Sequence, residues 1–312
     1  MSNFFKIKNI QIYNSKVINE IKISEIADIH ISHLIIKRKL DKITSYINEF
    51  NPDYVCIPGD LLDYLNILEE KEYFEMLTKW LTSLASFRPV LISLGSHDMG
   101  IQVSKIINER GWIESNYYEF FKELEMKVPN LYVLDNKNYQ DDKIFVSGYT
   151  QTFEYCYSSE DVAPTLMDED LKKQDFILKA PINKPACMLV HDPMHLTSPK
   201  VKKYFENYDI LFSGHMHNAM VPPIIDELWK SNKGFIKPNK SLIAPNARGI
   251  VPIDIEGKIV YLIVTGGIVK IQETAPKILW PCNNFYPSSI DNIVLTPNCE
   301  YIKPKVKSYY KF

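Results

Sequence analysis

Residues 54–63 read Tyr54-Val55-Cys56-Ile57-Pro58-Gly59-Asp60-Leu61-Leu62-Asp63. An apolar run bounded by Pro and Gly is typical of a buried strand, and glycine permits a tight turn at its end. The stretch therefore places Asp60 in the loop that follows a strand. Four more apolar runs also lead into loops that carry histidine or aspartate, at residues 21–26, 90–94, 187–190 and 208–212.

Helical patterns lie between these runs. Residues 37–50 carry Leu40, Ile43, Ile47 and Phe50 at helical spacing, and the pattern stops at Asn51-Pro52, because a residue before proline disfavours the α region. Similar patterns occupy residues 68–86 and 117–124. Alternating strands and helices predict an α/β fold. In such folds the loops at the carboxyl ends of strands form the binding crevice, so the polar clusters should converge.

Composition limits the class of protein. The 312 residues carry a formal net charge of −2, which argues against a broad electrostatic grip on nucleic acid. Five cysteines without CxxC spacing indicate reduced thiols and a cytoplasmic location. Cys56 and Cys187 lie in apolar runs and are predicted in the core.

The chain shows no sign of a domain boundary, a signal peptide or a membrane span. We expect one domain over residues 1–312, with residues 151–183 and 219–249 as inserts or lids. The longest apolar stretch, residues 259–269, has about half of the roughly 20 residues that a spanning helix needs. Phe4, Phe5 and residues 219–249 are candidates for peripheral membrane contact, although no clear amphipathic pattern supports them.

Histidine and aspartate are the common ligands of borderline first-row metals, and the loops concentrate them. The candidate ligands are two aspartates and four histidines: Asp28, His30, Asp60, His191, His215 and His217. The two-residue spacing of Asp28 and His30, and of His215 and His217, predicts one face of an extended segment. Six such side chains suffice for two ions. Two ions about 3.5–4 Å apart clamp both oxygens of an in-line phosphoryl displacement, and a bound water becomes hydroxide near neutral pH.

The ordered blocks resemble the calcineurin-like metallophosphoesterases. The blocks are Asp28-x-His30, Gly59-Asp60-x-x-Asp63, Gly95-Ser96-His97-Asp98, His191 and Gly214-His215-x-His217, spanning residues 28–217. Residues 247–249 and 264–267 are similar to the bacterial branch of this family. Any single block is weak evidence, but the ordered set is specific.

The resemblance implies a four-layer αββα sandwich, with mixed sheets flanked by helices, around a dinuclear metal site. It implies that Asp28, His30, Asp60 and His217 hold the first ion. It also implies that Asp60 bridges to a second ion, which would be held as well by His191, His215 and the residue at position 96. His97 is the implied catalytic group facing the substrate. Asp63 and Asp98 orient the loops, with a loop-capping role for Asp98 left open.

Ser96 departs from the family pattern, which has asparagine at this position. A hydroxyl is a shorter and poorer ligand than an amide oxygen, so we expect the second ion to bind more weakly. Mn, Fe and Zn all suit such a ligand set, and the sequence does not select among them. For His33 and His195 we expect roles outside the metal site. Arg248, Trp229 and Phe235 are either substrate-side groups or ordinary structural residues.

These residues predict a metal-dependent phosphatase or phosphodiesterase that acts on a small-molecule phosphoester. One alternative is a nuclease, which the lack of a basic stripe with interleaved aromatic residues disfavours. A second alternative is a metal-bound scaffold without turnover, which only Ser96 supports.

Overall fold

A computed structural model describes residues 4–35, 37–64, 67, 70–100, 117–226, 228, 231–236, 242–273, 275–298 and 302–311. Its strands are β1 (Phe5–Asn14), β2 (Ile21–Glu25), β3 (Tyr54–Pro58), β4 (Val90–Ser93), β5 (Leu131–Val133), β6 (Lys137–Gln140), β7 (Phe145–Tyr149), β8 (Ala186–Val190), β9 (Ile210–Ser213), β10 (Gly234–Ile236), β11 (Leu242–Ala244), β12 (Gly249–Ile255), β13 (Lys258–Val264), β14 (Ser288–Pro297) and β15 (Lys305–Lys311). Its helices are α1 (Lys37–Phe50), α2 (Lys71–Ala85), α3 (Tyr117–Lys127), α4 (Phe153–Tyr157), α5 (Ala163–Leu171) and α6 (Pro223–Asp226). Short 3₁₀ turns cover Ile177–Lys179, Lys202–Phe205, His217–Met220 and Lys277–Asn284.

The first sheet has seven strands in the order β15-β1-β14-β2-β3-β4-β5. Strands β2 to β5 run parallel to one another, whereas β14 is antiparallel to β2 and parallel to β1. Helices α1, α2 and α3 cover its outer face through one apolar cluster that includes Leu40, Leu81 and Leu124. Helix α1 ends as the sequence predicts, because Asn51 adopts a left-handed φ of 51° directly before Pro52.

The second sheet has six strands in the order β12-β13-β9-β8-β7-β6. Its four central strands are parallel, and β6 and β12 close the edges as antiparallel strands. Helices α4 and α5 cover its outer face through a second apolar cluster that includes Tyr155, Met167 and Leu171. A small pair, β10-β11, lies outside both sheets.

The two sheets pack face to face. A third apolar cluster joins Ile23, Cys56 and Leu91 of the first sheet to Cys187 and Phe212 of the second. Helix, sheet, sheet and helix therefore form four layers, and the predicted αββα sandwich of mixed sheets is confirmed. Cys56 and Cys187 are fully buried, as predicted from their apolar runs.

Strands β1, β14 and β15 are among those that were not predicted from the sequence. Polar residues interrupt the apolar pattern of β14, although most of that strand is buried. Those residues are paired with distant parts of the chain: Ser24 donates to Asn292 at 2.9 Å, and Lys8 donates to Asp291 at 3.0 Å. Local sequence does not reveal partners more than 250 residues away. Phe5, suggested as a membrane contact, is fully buried beneath α1, so that suggestion is wrong.

Parallel strands in each sheet deliver their following loops to one edge of the sandwich. Asp28, Asp60 and His97 follow β2, β3 and β4 of the first sheet, and His191 and His215 follow β8 and β9 of the second. The candidate ligands thus meet at the carboxyl ends of both sheets. Within the described residues, every helix is too short or too polar to cross a bilayer.

A buried acid pair under this edge supports a first prediction. Glu25 lies opposite Asp291 in the β2-β14 register, and both side chains are fully buried. Burial, and then the charge of Asp291, raises the pKa of Glu25 well above its usual value. The folded protein therefore keeps a proton on Glu25 that the unfolded chain releases above about pH 4.5, the ordinary pKa of the group.

Glu25→Gln removes this titration, so we expect a pH-dependent gain in stability. Below pH 4.5, the difference in free energy of unfolding between the variant and the unmutated protein should be nearly independent of pH. As the pH rises further, the titration of Glu25 lowers the stability of the unmutated protein relative to the variant. The loss is up to about 1.4 kcal/mol per pH unit for one proton. Urea unfolding of both proteins and of the exposed control Glu20→Gln at several pH values tests this. A difference that stays constant or shrinks with pH contradicts the argument.

Candidate metal centre

Three groups of potential metal donors lie at the shared edge of the sheets. Within each group the donor atoms are no more than 4.8 Å apart. The groups are Asp28, His30 and His217; Asp60, His191 and His215; and His30, Asp60 and His97. The third group connects the other two through His30 and Asp60. The structure therefore brings together all six of the Asp and His side chains predicted as ligands, together with His97.

The backbone that presents these side chains is locally strained. Five of the six predicted Asp and His ligands have a φ in the left-handed region, which non-glycine residues adopt at a cost of about 1–3 kcal/mol each. They are Asp28 (50°), His30 (48°), Asp60 (52°), His215 (66°) and His217 (46°). The expectation that Asp28-x-His30 and His215-x-His217 lie on extended segments is therefore wrong. Tight left-handed turns, rather than strand alternation, direct these side chains to the site.

Asp60 lies at the centre of the cluster. Its Oδ2 is 2.9 Å from His191 Nε2, 3.9 Å from His30 Nε2 and 4.0 Å from His97 Nε2. Its Oδ1 accepts a hydrogen bond of 3.0 Å from the backbone N–H of His97. Gly95 permits this approach, because a Cβ there would lie 2.2 Å from Asp60 Oδ1. The carboxylate can therefore face ligands from both sheets.

Backbone carbonyls fix the orientation of three imidazole rings. His191 Nδ1 donates to the carbonyl of Pro58 at 2.9 Å, and His217 Nδ1 donates to Val269 at 2.7 Å. His97 Nδ1 donates to the carbonyl of Asp63 at 2.5 Å. In each case the bond leaves Nε2 directed towards the cluster. Carbonyl partners of this kind set the tautomer and orientation of metal-binding histidines.

The electrostatics keep most of the rings neutral. Burial lowers the pKa of His30, His215 and His217, which preserves a ring lone pair at neutral pH. Burial opposes ionisation of Asp60 as well, but the neighbouring histidines, His191 first, hold its pKa well below the usual value. Burial would lower the pKa of His191, yet Asp60 raises it to about 10. A cation between Asp60 and His191 would replace the proton held there.

Orphaned polar atoms show that the site suits a metal ion. His30 is fully buried, and neither of its ring nitrogens has a hydrogen-bond partner. Asp28 Oδ2 is also buried without a partner, whereas Asp28 Oδ1 accepts a 2.9 Å bond from the backbone N–H of His215. Buried polar atoms without partners cost about 1–3 kcal/mol each, which coordination would recover. The His/Asp donor set fits Mn, Fe or Zn.

A model of the calcineurin-like phosphoesterase family matches residues 21–219. The chain belongs to this family. It is 28% identical over 218 residues to an uncharacterized metallophosphoesterase of Helicobacter pylori strain J99, covering 70% of this chain and 50% of that protein. It is 22% identical over 233 residues to an uncharacterized metallophosphoesterase of Campylobacter jejuni, covering 74% and 53%. The chain thus spans about half the length of these relatives.

Among solved structures, the phosphopantetheinyl hydrolase of Mycobacterium tuberculosis aligns with a TM-score of 0.45 at 9% identity. The alignment covers 90% of this chain and 98% of that one.

The remaining residues of the metallophosphoesterase blocks lie around the cluster. Asp63 Oδ2 accepts a 2.5 Å bond from the N–H of Glu273, which joins its loop to the segment after β13. Asp98 accepts 2.9 Å bonds from the N–H groups of Leu62 and Gly95, so it joins two of the loops. Burial, and then the charge of Asp60, raises the pKa of Asp98 to about 7. Ser96 is half-buried and lines a cavity together with His191 and His215.

Sequence reasoning singled out residues 264–267 but missed the contacts that residues 269–272 make with the site. Val269 supplies the carbonyl for His217, and Gln272 Nε2 lies 3.2 Å from His217 Nε2. Lys270 donates to the carbonyls of Gly266 and Gly267, and burial lowers its pKa to about 7. The glycine pair at the end of a strong apolar run was the available signal that this segment approaches the site.

Other singled-out residues lie outside the donor groups. His33 is exposed and pairs with Glu273 at 2.9 Å, as expected for a surface loop. Arg248 forms a mostly buried ion pair with Asp226 at 2.5 Å, so a structural role accounts for it. His195, expected away from the site, lines the cavity beside Ser96. Trp229 and the side chain of Phe235 lie outside the part of the chain that the structure describes. The lid roles of residues 151–183 and 219–249 stay predictions.

Proposed function

We propose that this protein is a metal-dependent phosphoric ester hydrolase with two metal ions in the cluster. The observation that supports the proposal most strongly is the position of Asp60. One carboxylate oxygen lies within 4.0 Å of His30, His97 and His191, between donor groups supplied by the two sheets. A carboxylate in that position can face two ions at once.

The site residues would have three roles: binding the first ion, binding the second ion and donating a proton. Asp28, His30, Asp60 and His217 would hold one ion. Asp60, His191, His215 and Ser96 would hold the other. Bound ions supply charge stabilisation and lower the pKa of a bound water. His97 keeps Nδ1 on the Asp63 carbonyl, which directs Nε2 towards the cluster. From there the imidazolium form of the ring would donate the Nε2 proton to the departing alkoxide oxygen.

We propose a small-molecule phosphoester as the substrate. Nucleic-acid hydrolysis has no specific support in the described residues, and salt-dependent DNA binding would revive it. The other alternative is a scaffold that binds metal without catalysing hydrolysis, and a turnover assay distinguishes it from the proposed hydrolase. Full metal occupancy without hydrolysis of any ester would favour the scaffold.

The test uses a chromogenic phosphodiester, bis(p-nitrophenyl) phosphate, and p-nitrophenyl phosphate. We expect EDTA to abolish hydrolysis and Mn²⁺, Fe²⁺ or Zn²⁺ to restore it. His217→Ala should reduce activity by about a hundred-fold or more, because it removes a ligand. The exposed His33→Ala is the matched control and should stay within about three-fold of the native protein, as surface changes usually do. Hydrolysis that survives both EDTA and His217→Ala contradicts the proposal.

Ser96 makes the second ion the weaker one. The Ser96→Asn variant supplies a longer side chain with an amide oxygen, so we expect it to bind the second Mn²⁺ at least about ten-fold more tightly. Calorimetric titration of stripped protein measures this. The exposed Ser86→Asn is the control. Two equally tight ions in the native protein, unchanged by Ser96→Asn, would show that position 96 does not limit the second site.

A further inference from the structure

The segment that follows β13 contacts both nitrogens of the His217 ring. The carbonyl of Val269 accepts the Nδ1 proton at 2.7 Å. Three residues later, the side-chain amide of Gln272 reaches the other side of the ring, where its Nε2 lies 3.2 Å from His217 Nε2. Because Nδ1 carries the proton, His217 Nε2 has a lone pair, and this is the atom that would bind the first ion. Gln272 therefore lies beside the proposed position of that ion.

The backbone is fixed on both sides of Gln272. Before it, the buried side chain of Asn283 accepts from the N–H of Ile271 at 3.0 Å and donates to its carbonyl at 2.7 Å. After it, the N–H of Glu273 donates to Asp63 Oδ2 at 2.5 Å. The half-buried Gln272 side chain is thus presented to the cluster by an ordered backbone, which lowers the entropy lost when the side chain binds a ligand.

The separation between the amide and the ring suits two ligands of one ion. Nitrogen and oxygen ligands lie about 2.0–2.2 Å from zinc, so neighbouring ligands of one ion are roughly 3.0–3.4 Å apart. The amide can present its oxygen, because a half-turn about the last side-chain bond exchanges its oxygen and nitrogen. An amide oxygen is neutral, so it would add a ligand without adding charge to a site that already contains Asp28 and Asp60.

We infer that Gln272 Oε1 is a further ligand of the first ion, in addition to the Asp and His side chains assigned to it above. The inference rests on the proposed function, because it takes the metal centre from there. An amide ligand at the first ion increases the contrast with the second ion, where Ser96 supplies only a hydroxyl. The first ion should therefore stay bound at metal concentrations that leave the second site empty.

Calorimetric titration of stripped protein with Mn²⁺, and separately with Zn²⁺, tests the inference without requiring turnover. Gln272→Met keeps the length of the side chain and removes the amide. We expect this variant to bind the first Mn²⁺ about ten-fold more weakly or worse. The loss for the first Zn²⁺ should be smaller, because four ligands satisfy zinc, whereas manganese favours additional oxygen ligands. Gln272→Glu keeps an oxygen at the same reach and should bind the first Mn²⁺ at least as tightly as the native protein.

Gln174→Met is the matched control, since Gln174 is also half-buried and its amide donates to Asp170 at 3.3 Å. It should keep the native affinities for both metals. Equal losses of Mn²⁺ and Zn²⁺ affinity in Gln272→Met indicate a structural role and overturn the inference. Unchanged or tighter Mn²⁺ binding in that variant also overturns it, because the amide then only donates to the lone pair that the ion needs.

Hydrolysis of bis(p-nitrophenyl) phosphate by the native protein separates this inference from the proposed function. Weaker first-ion binding in Gln272→Met, without any hydrolysis by the native protein, supports the inference and contradicts the proposed function. Hydrolysis by the native protein, with unchanged metal binding in Gln272→Met, contradicts the inference alone. Failure of the native protein to bind Mn²⁺ or Zn²⁺ overturns both.

Discussion

Asp60→Asn is expected to lower phosphoester hydrolysis by about a thousand-fold or more, because it removes several kcal/mol of charge stabilisation. Asparagine keeps the size of the side chain and can still accept the 3.0 Å bond from the His97 N–H through Oδ1. It replaces the second carboxylate oxygen, which lies 2.9 Å from His191 Nε2, with a neutral donor. The variant should therefore fold and lose the group shared by the two proposed ions.

Metal content and activity must fall together in this variant. Elemental analysis should find fewer than two ions per chain, and circular dichroism should show an unchanged fold. The exposed Asp175→Asn controls for the loss of one charge and should keep both metal and activity. Retention of two tight ions and full activity in Asp60→Asn would remove Asp60 from the centre of the site.

His97→Asn is expected to lower kcat by about 100- to 10,000-fold while leaving the metal in place. The ring is held by the Asp63 carbonyl, and its Nε2 is 4.0 Å from Asp60 Oδ2. This distance suits a group that faces the substrate over the cluster. Its proton matters most when the leaving group is a poor one, so an alkyl ester should lose more activity than a p-nitrophenyl ester.

The leaving-group dependence separates the two roles open to His97. A proton donor gives the unequal losses described above, with normal metal content. A ligand gives equal losses on both esters and a lower metal content, because His97 also lies in a donor group with His30 and Asp60. The exposed His33→Asn is the matched control for removing an imidazole. Equal losses with lost metal would contradict the assignment of His97 as the catalytic group.

Much of the fold and site could be predicted from the sequence because the relevant signals are local. Apolar runs such as residues 54–57 and 187–190 end in loops with aspartate or histidine, and the structure places each of those loops at one edge. The helix over residues 37–50 and its stop at Asn51 follow from periodicity and from the proline after it.

The remaining features depend on distant contacts. Strand β14 is stabilised by partners such as Ser24 and Lys8, which no local pattern reveals. The left-handed turns at Asp28 and His30 are favoured only when the rest of the site holds them, so spacing alone predicted the wrong backbone. The approach of Val269 and Gln272 to His217 likewise depends on how the segment after β13 crosses the site.

The most direct test of the central claim follows the rate of bis(p-nitrophenyl) phosphate hydrolysis as Mn²⁺ is added to stripped protein. If Asp60 is shared between two ions, the stripped protein should be inactive and the rate should rise mainly as the second equivalent binds. A substantial rate in the stripped protein, or a rate that does not respond to added Mn²⁺, would contradict the account.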